Sequence, residues 1–271
     1  MNITPVVKQL LIINIIFFAG SLAVPQANSL LALHNVNSDM FEYWQILTHM
    51  FMHGNVLHIF FNMFALFSFG SALEHFWGGK KFLFFYISCG LGAAGLQLGI
   101  NYLEYLNMVD GLSGLGLSET TIHQIANVRL WDSNGVPRIE AFNAEANEIL
   151  RKAGNIKQFT VAESRAIVDT AAHVQGAMVG ASGAVYGLLV AFAFMFPNAE
   201  LMLMFIPIPI KAKYFVPALL AIDLFLGFKG NSIFGSGGTG VAHFAHVGGA
   251  IIGFLMMWYW KKNQFDNNRW N

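Results

Sequence analysis

The sequence predicts an all-α polytopic membrane protein. Of its 271 residues, 55% are hydrophobic and only 11% are charged, and the mean hydropathy is +0.52. A soluble domain carries roughly 25% charged residues, so most of this chain belongs in a lipid bilayer. The single cysteine, Cys89, excludes an intrachain disulfide.

Six predominantly apolar stretches have about the length of a membrane-spanning helix. Their approximate limits are 6–23, 55–71, 82–102, 181–196, 214–228 and 243–260. The fourth and fifth are short and would require local thinning of the bilayer. The first has no small-residue cleavage site and is as long as a span, so we expect it to be retained as a helix.

The positions of lysine and arginine predict the orientation of these spans. Eight basic residues lie near span ends that would share one side: Lys8, Lys80, Lys81, Lys211, Lys213, Lys261, Lys262 and Arg269. All of them lie on one side if the spans alternate in direction, whereas the first loop, 25–43, contains no lysine or arginine. Basic residues near spans favour the cytoplasmic side, so both termini are expected in the cytoplasm.

Residues 103–174 differ from the rest of the chain in being polar and ordinary in composition. A segment of this length can cross the membrane regardless of its charge, so we expect it outside, between the third and fourth spans. Ser118 and Thr160 fit helix N-caps, and Glu163 would complete a capping box with Thr160. The sequence therefore predicts a helical extramembrane insert within a single membrane domain of residues 1–271.

Three polar side chains are expected at a common depth in the membrane. His58, Ser182 and His246 lie within a few residues of the starts of spans two, four and six, which would all enter from the outer face. Because a helix rises about 1.5 Å per residue, the three side chains fall within a few ångströms of one level. They imply one cavity that opens outward.

Ser182 has the chemistry and the surroundings of a nucleophile. It begins an apolar segment and is flanked by Gly180 and Gly183, which would let a substrate backbone approach closely. At the amino terminus of a helix, the backbone amide of Ser182 would also be available to a developing negative charge.

His246 is the candidate general base. An ionisable side chain in the hydrocarbon region costs about 2 to 4 kcal/mol, which favours a functional role. Gly249 and Gly253 form a Gly-x-x-x-Gly face that lets the sixth span approach the fourth. His243, one turn earlier, is a competing candidate, but the small-residue stripe begins directly below His246.

A second cluster contains His49, His53, His58 and Asn62. Zinc proteases use His-Glu-x-x-His, and no glutamate lies between His49 and His53, so no metal site is expected. His58 and Asn62 are four residues apart and share a helix face, from which both could donate hydrogen bonds to an oxyanion. His49 and His53 are expected to be structural.

In this combination and order, these motifs resemble the rhomboid family of intramembrane serine proteases, in the six-helix form typical of bacteria. The resemblance covers residues 44–62, 70–74, 180–187 and 242–253 and leaves the 103–174 insert outside. Where many members carry Trp-Arg in the first loop, this chain has Trp44-Gln45, which removes a cation from a membrane-facing loop.

The resemblance implies a Ser-His dyad, with Ser182 as nucleophile and His246 as base and then acid. It further implies an oxyanion site formed by the Ser182 amide, His58 and Asn62, and a Tyr186 ring packed on the catalytic imidazole. It implies no third triad acid. Asp223, the only carboxylate in a span that could serve as one, is therefore expected to be structural, since lone buried carboxylates usually cap or pair locally.

The expected function is cleavage of transmembrane segments of other membrane proteins near the outer leaflet, and the resemblance suggests a bacterial cytoplasmic (inner) membrane. No cofactor, metal or nucleic-acid partner is expected. The alternative is a catalytically silent member of the same fold that binds or chaperones membrane helices. Possession of both Ser182 and His246 argues against that alternative.

Overall fold

Helices form most of the structure, a computed structural model that describes residues 2–132, 135–155, 158–203, 206–229 and 242–264. In chain order they are α1 (Pro5–Ala23), α2 (Gln26–Leu31), α3 (Gln45–Thr48), α4 (Val56–Ala65), α5 (Ser71–Trp77), α6 (Gly79–Ser113), α7 (Glu119–Ala126), α8 (Ile139–Lys152), α9 (Val161–Gln175), α10 (Ser182–Met195), α11 (Ala212–Lys229) and α12 (His243–Gln264). Short strands are β1 (Leu33–His34), β2 (Ala177–Met178), β3 (Glu200–Leu203) and β4 (Ile206–Lys211). The helical fold predicted from the sequence is confirmed.

A helix lies at each of the six stretches predicted to span the membrane. In the second stretch, a π-helical turn over Leu66–Gly70 joins α4 to α5. Within the described residues, Pro5–Ala23, Val56–Trp77 and Gly79–Ser113 are long and apolar enough to cross a bilayer. That the shorter helices also span the membrane, which would give six spans in total, stays a prediction.

The chain divides into two compact units. The first comprises Met1–Val24, Ile46–Gln97 and Met178–Asn271, and the second comprises Pro25–Gln45 and Leu98–Ala177. The predicted 103–174 insert falls within the second unit. That unit also includes residues 25–45, for which the sequence predicts only a connecting loop.

The first unit has a dense core and an apolar exterior. Its fully buried side chains include Val7, Leu66, Leu73, Phe82, Phe85, Tyr86, Cys89 and Leu188. Large apolar side chains also face outward, such as Ile16 at 60% exposure and Phe84 at 63%. Such surfaces are unusual in soluble proteins and suit contact with lipid chains.

Glu74 satisfies the first turn of α1. Its carboxylate accepts hydrogen bonds from the backbone N–H groups of Val6, at 2.9 Å, and Val7, at 2.8 Å, and from the Thr4 hydroxyl at 2.5 Å. The first N–H groups of a helix have no partner within the helix, and the positive end of its dipole favours a nearby anion. This buried carboxylate therefore fixes the start of α1 against α5.

An antiparallel hairpin of β3 and β4 precedes α11 and was not predicted. Its Cα partners are Glu200 with Lys211, Leu201 with Ile210, and Leu203 with Ile206. Pro207 and Pro209 occupy alternate positions of β4. Prolines with this spacing remove N–H donors from one edge of a strand only, so the other edge can still pair.

The second unit has its own core, formed by side chains of α6 to α9. Members include Tyr105, Leu112, Ile122, Phe142 and Ala171. The predicted helix starts are confirmed: the Ser118 hydroxyl accepts from the Thr121 N–H at 3.2 Å, and Thr160 forms a capping box with Glu163. Each cap supplies an acceptor to N–H groups that the helix leaves unpaired.

Gln45 holds the 25–45 segment together from within. Its amide oxygen accepts from the backbone N–H groups of His34, at 3.3 Å, and Glu42, at 3.1 Å. Its amide nitrogen donates to the carbonyls of Met40, at 2.9 Å, and Leu30, at 3.3 Å. The side chain is fully buried, and its four hydrogen bonds connect separate parts of the segment.

Replacing Gln45 with alanine should destabilise the protein because it leaves four backbone groups without this partner. At about 1 kcal/mol per bond, the loss is about 2–4 kcal/mol and should lower the thermal midpoint in detergent by roughly 5–10 °C. Gln26→Ala is the matched control, since Gln26 is exposed in the same segment. Equal midpoints for the two variants would contradict this role of Gln45.

Candidate active site

Two helices of the first unit, α10 and α12, pack with almost no side chain between them. A Cβ atom on Gly249 would collide with the backbone of Gly183, and one on Gly253 would lie 2.8 Å from the Cα of Gly187. Glycines on both helices therefore face each other, which allows the backbones to approach closely. This contact sets the distance between side chains carried at the amino-terminal ends of the two helices.

Ser182 and His246 meet at that end. Ser182 is the first residue of α10, and His246 lies in the first turn of α12. The Ser182 Oγ and the His246 Nε2 are 2.8 Å apart, a hydrogen-bond distance. The Tyr186 ring stacks on the His246 imidazole, with centroids 4.2 Å apart and planes inclined by 8°. The ring of the histidine is thus held from one face as well as through its nitrogen.

Asp223, on α11, bonds to the other nitrogen of the same imidazole. The Asp223 Oδ2 lies 2.6 Å from the His246 Nδ1, and the Asp223 Oδ1 makes a short hydrogen bond with the His243 Nδ1. The expectation that Asp223 caps or pairs locally is wrong, because its partners are 20 and 23 residues away on another helix. One feature of the sequence does point to a role for Asp223, because a carboxylate within a membrane span is by default a candidate functional residue.

These contacts define the hydrogen positions on His246. An ionised carboxylate only accepts hydrogen bonds, so the His246 Nδ1 carries the hydrogen that points to Asp223. The Nε2 of the neutral ring then has a free lone pair, and the Ser182 hydroxyl donates to it. This is the arrangement in which an imidazole can remove the proton of an attacking hydroxyl.

His58, on α4, lies close to Gly180 and Ser182. The Asn55 side chain caps α4 by accepting from the His58 N–H at 2.8 Å, and the Gly54 N–H donates to the His58 Nδ1 at 3.4 Å. The neutral ring therefore carries its hydrogen on Nε2. A Cβ atom on Gly180 would lie 2.7 Å from this Nε2 and 3.5 Å from the Ser182 Oγ. The lack of a side chain at Gly180 thus lets the His58 ring pack directly against this backbone, next to the Ser182 hydroxyl.

Gly180 also has a backbone conformation that suits glycine. Its φ angle is +127°, which side chains on L-residues rarely permit. Its N–H donates to the carbonyl of His49 at 2.9 Å, which ties the loop before α10 to the segment before α4. Both observations explain why a glycine precedes Ser182 by two positions.

Two further buried polar side chains are Asn62, on α4, and His53, in the segment before α4. The Asn62 side chain is buried, and its Nδ2 makes no hydrogen bond within the described part of the chain, so it is a donor without an acceptor. His53 is also buried and lies edge-on to His58, with ring centroids 5.1 Å apart. Burial, together with the neighbouring His58, lowers the pKa of His53 to about 3, so this ring is neutral at pH 7.

Asp223, His243 and His246 have the donor types of a metal site, and their donor atoms lie within 4.8 Å of one another. The observed separations are nevertheless those of hydrogen bonds. Two ligands of a tetrahedral zinc ion at about 2.0–2.1 Å are roughly 3.3 Å apart, whereas the His246 Nδ1 and Asp223 Oδ2 are 2.6 Å apart. The cluster is therefore a carboxylate that is hydrogen-bonded by two imidazoles.

Comparison with known families identifies the group to which this site belongs. The rhomboid domain model matches residues 40–136 and 153–263. The chain belongs to the rhomboid family. With the apolar helices described above, rhomboid membership makes it an integral membrane protein. The prediction that the 103–174 insert lies outside the rhomboid resemblance is wrong for most of its length, because the match omits only residues 137–152 of the insert.

Individual rhomboid relatives are similar at low identity. Rhomboid protease AarA of Providencia stuartii is 28% identical over 182 residues, which cover 61% of this chain and 64% of that protein. An uncharacterised mitochondrial rhomboid protein of Schizosaccharomyces pombe is 27% identical over 238 residues, covering 82% and 52%. Rhomboid protease GluP of Bacillus subtilis is 38% identical over 50 residues, covering 18% and 10%. The matches thus reach about half to two thirds of the length of the first two relatives.

Replacing Gly249 with alanine should disturb the α10–α12 contact, because the added methyl group meets the rigid backbone of Gly183. Overpacking of this kind costs about 1–3 kcal/mol, so the thermal midpoint in detergent should fall by several degrees. Gly20→Ala is the matched control, since a Cβ atom there has nothing within 4 Å and alanine favours a helix. A Gly249→Ala protein as stable as Gly20→Ala would show that the helices need no such contact.

Proposed function

We propose that this rhomboid-family protein is an intramembrane serine endopeptidase that uses Ser182 and His246. The observation that carries the proposal is the 2.8 Å hydrogen bond between the Ser182 Oγ and the His246 Nε2. Support also comes from AarA and GluP, two of the similar proteins, whose names describe them as rhomboid proteases.

In the proposed reaction, the Ser182 oxygen attacks the carbonyl carbon of the scissile peptide, and its proton passes to the His246 Nε2. Collapse of the tetrahedral intermediate breaks the C–N bond, and His246 returns the proton to the leaving amine. A water molecule then attacks the acyl-enzyme carbonyl and gives its proton to His246. Release of the carboxylic acid product restores the Ser182 hydroxyl.

The negative charge of the intermediate needs hydrogen-bond donors in a water-poor site. We assign this role to the Ser182 amide, the His58 Nε2 and the Asn62 Nδ2. The position of the His58 ring, packed on Gly180 next to Ser182, and the unpaired Nδ2 of the buried Asn62 support this assignment. Tyr186 would keep the imidazole in line by stacking.

The proposed substrates are transmembrane segments of other membrane proteins, cleaved near the outer leaflet. A substrate helix must unwind there, because its backbone is otherwise hydrogen-bonded to itself. The proposed topology has six spans, both termini in the cytoplasm of a bacterium, and the 103–174 insert outside. The distribution of basic residues near the spans supports this orientation.

A fluorophosphonate probe should label the purified protein at Ser182, since such probes react with activated serines. Labelling and cleavage of a model transmembrane substrate should be lost in Ser182→Ala and His246→Ala, while both variants stay folded. Mass spectrometry of the labelled peptide and gel-based cleavage measure the two activities.

The controls for this experiment are Ser113→Ala and His75→Ala, which change the same residue types at exposed positions. Cleavage that persists in Ser182→Ala or His246→Ala would refute the dyad. A folded wild-type protein that neither labels nor cleaves would favour the alternative of a catalytically silent binding module.

Asn62→Ala should lower turnover by up to about 10²- to 10³-fold, the usual effect of removing one oxyanion donor. Because the Asn62 Nδ2 has no partner in the described residues, the variant should lose little stability. Cleavage rates and thermal midpoints measured alongside those of Asn107→Ala, an exposed asparagine, test both statements. Unchanged turnover would remove Asn62 from the oxyanion site.

A further inference from the structure

The Asp223 carboxylate is buried and hydrogen-bonded to two histidines of a different helix. Its side chain is only 2% exposed, and both of its oxygens are engaged by imidazole nitrogens of α12. Burying an ionised carboxylate is unfavourable unless its oxygens accept strong hydrogen bonds. His243 and His246 supply those bonds, so the three side chains form one connected unit.

We propose that Asp223 is a positioning residue of the reaction, so that Ser182, His246 and Asp223 act as a triad in place of a dyad. The inference rests on the proposed protease function and concerns how His246 is prepared for it. Asp223 acts through His246: it holds the hydrogen on Nδ1 and so directs the Nε2 lone pair toward Ser182. It also compensates the positive charge that His246 acquires when it accepts the serine proton.

His243 has a supporting part in this arrangement. It donates to the Asp223 Oδ1, which leaves Oδ2 aimed at His246. Its ring is nearly perpendicular to that of His246, with centroids 6.4 Å apart, so the two imidazoles approach the carboxylate from different directions. A carboxylate bound through both oxygens cannot rotate without breaking one bond, and the orientation of His246 is thereby fixed.

A structural alternative is that Asp223 only ties α11 to α12. The two helices do meet closely here, since a Cβ atom on Gly227 would lie 3.1 Å from the Cβ of His243. A tether predicts that loss of the carboxylate lowers stability and leaves the catalytic constant of the folded protein unchanged. A positioning role predicts that the catalytic constant of the folded variant falls, whether or not its stability changes.

Asp223→Asn separates the two roles because it keeps the shape and removes the charge. His243 and His246 bond to different oxygens of the carboxylate, and the amide replaces one of these oxygens with an NH2 group that cannot accept. The bond to the imidazolium also loses its ionic character. We expect kcat to fall by roughly 10²- to 10⁴-fold, with KM within about threefold of the wild-type value. The rate of fluorophosphonate labelling at Ser182 should fall in parallel.

Asp169→Asn is the matched control, because Asp169 is exposed on α9, with a side chain that is 61% accessible. Its kcat should equal that of the wild type. A kcat for Asp223→Asn within about threefold of the wild-type value would overturn the proposal, and so would a lower thermal midpoint combined with an unchanged kcat. If the wild-type protein itself neither cleaves nor labels, the proposed function fails and this inference fails with it.

A measurement on the wild-type protein covers the case in which Asp223→Asn does not fold. Nitrogen-15 NMR of labelled histidines distinguishes the two neutral tautomers, and the His246 signals are identified by their absence in His246→Ala. The proposal requires the hydrogen on the His246 Nδ1. A His246 ring protonated on Nε2 alone would overturn it.

Discussion

The distance between α10 and α12 is the constraint on which the site depends. Ser182 and His246 are carried on separate helices, and a hydrogen bond of 2.8 Å between them needs the two backbones to approach closely. In a bilayer no hydrophobic force drives helices together, so close packing and polar contacts must do so. The facing glycines, Gly183 with Gly249 and Gly187 with Gly253, provide the packing. The polar groups at the helix ends then fall within reach of one another.

A buried polar group without a hydrogen-bond partner is costly in an apolar medium, and two buried carboxylates of the first unit are fully satisfied. Glu74 is buried and satisfies the start of α1. Asp223 is buried and satisfied by two imidazoles. The Asn62 Nδ2 differs from both, being a buried donor without a partner in the described residues. In the proposed reaction, the oxyanion would supply the missing acceptor.

The two compact units use different means of stabilisation. The first exposes large apolar side chains and contains the candidate site. The second has a conventional core, amphipathic helices and side-chain caps such as Ser118 and Thr160. The rhomboid match extends over much of the second unit, so most of the predicted insert is part of the family domain. Within the second unit, Gln45 holds the 25–45 segment through hydrogen bonds to four backbone groups.

The sequence by itself determined the helical membrane class, the helix locations and the identities of Ser182 and His246 as candidates, because hydropathy, glycine spacing and caps are local properties. It also located the starts of α7 and α9, since a cap and its partner lie within one turn. Only the tertiary structure decided the partners of Asp223, which reaches His243 and His246 from another helix. Rotation of α11 about its axis selects which neighbour its carboxylate meets, and no spacing within one segment records that rotation. The β3–β4 pairing was missed for a local reason: β3 has only four residues, and the two prolines of β4 weaken its alternating pattern as a signal for a strand.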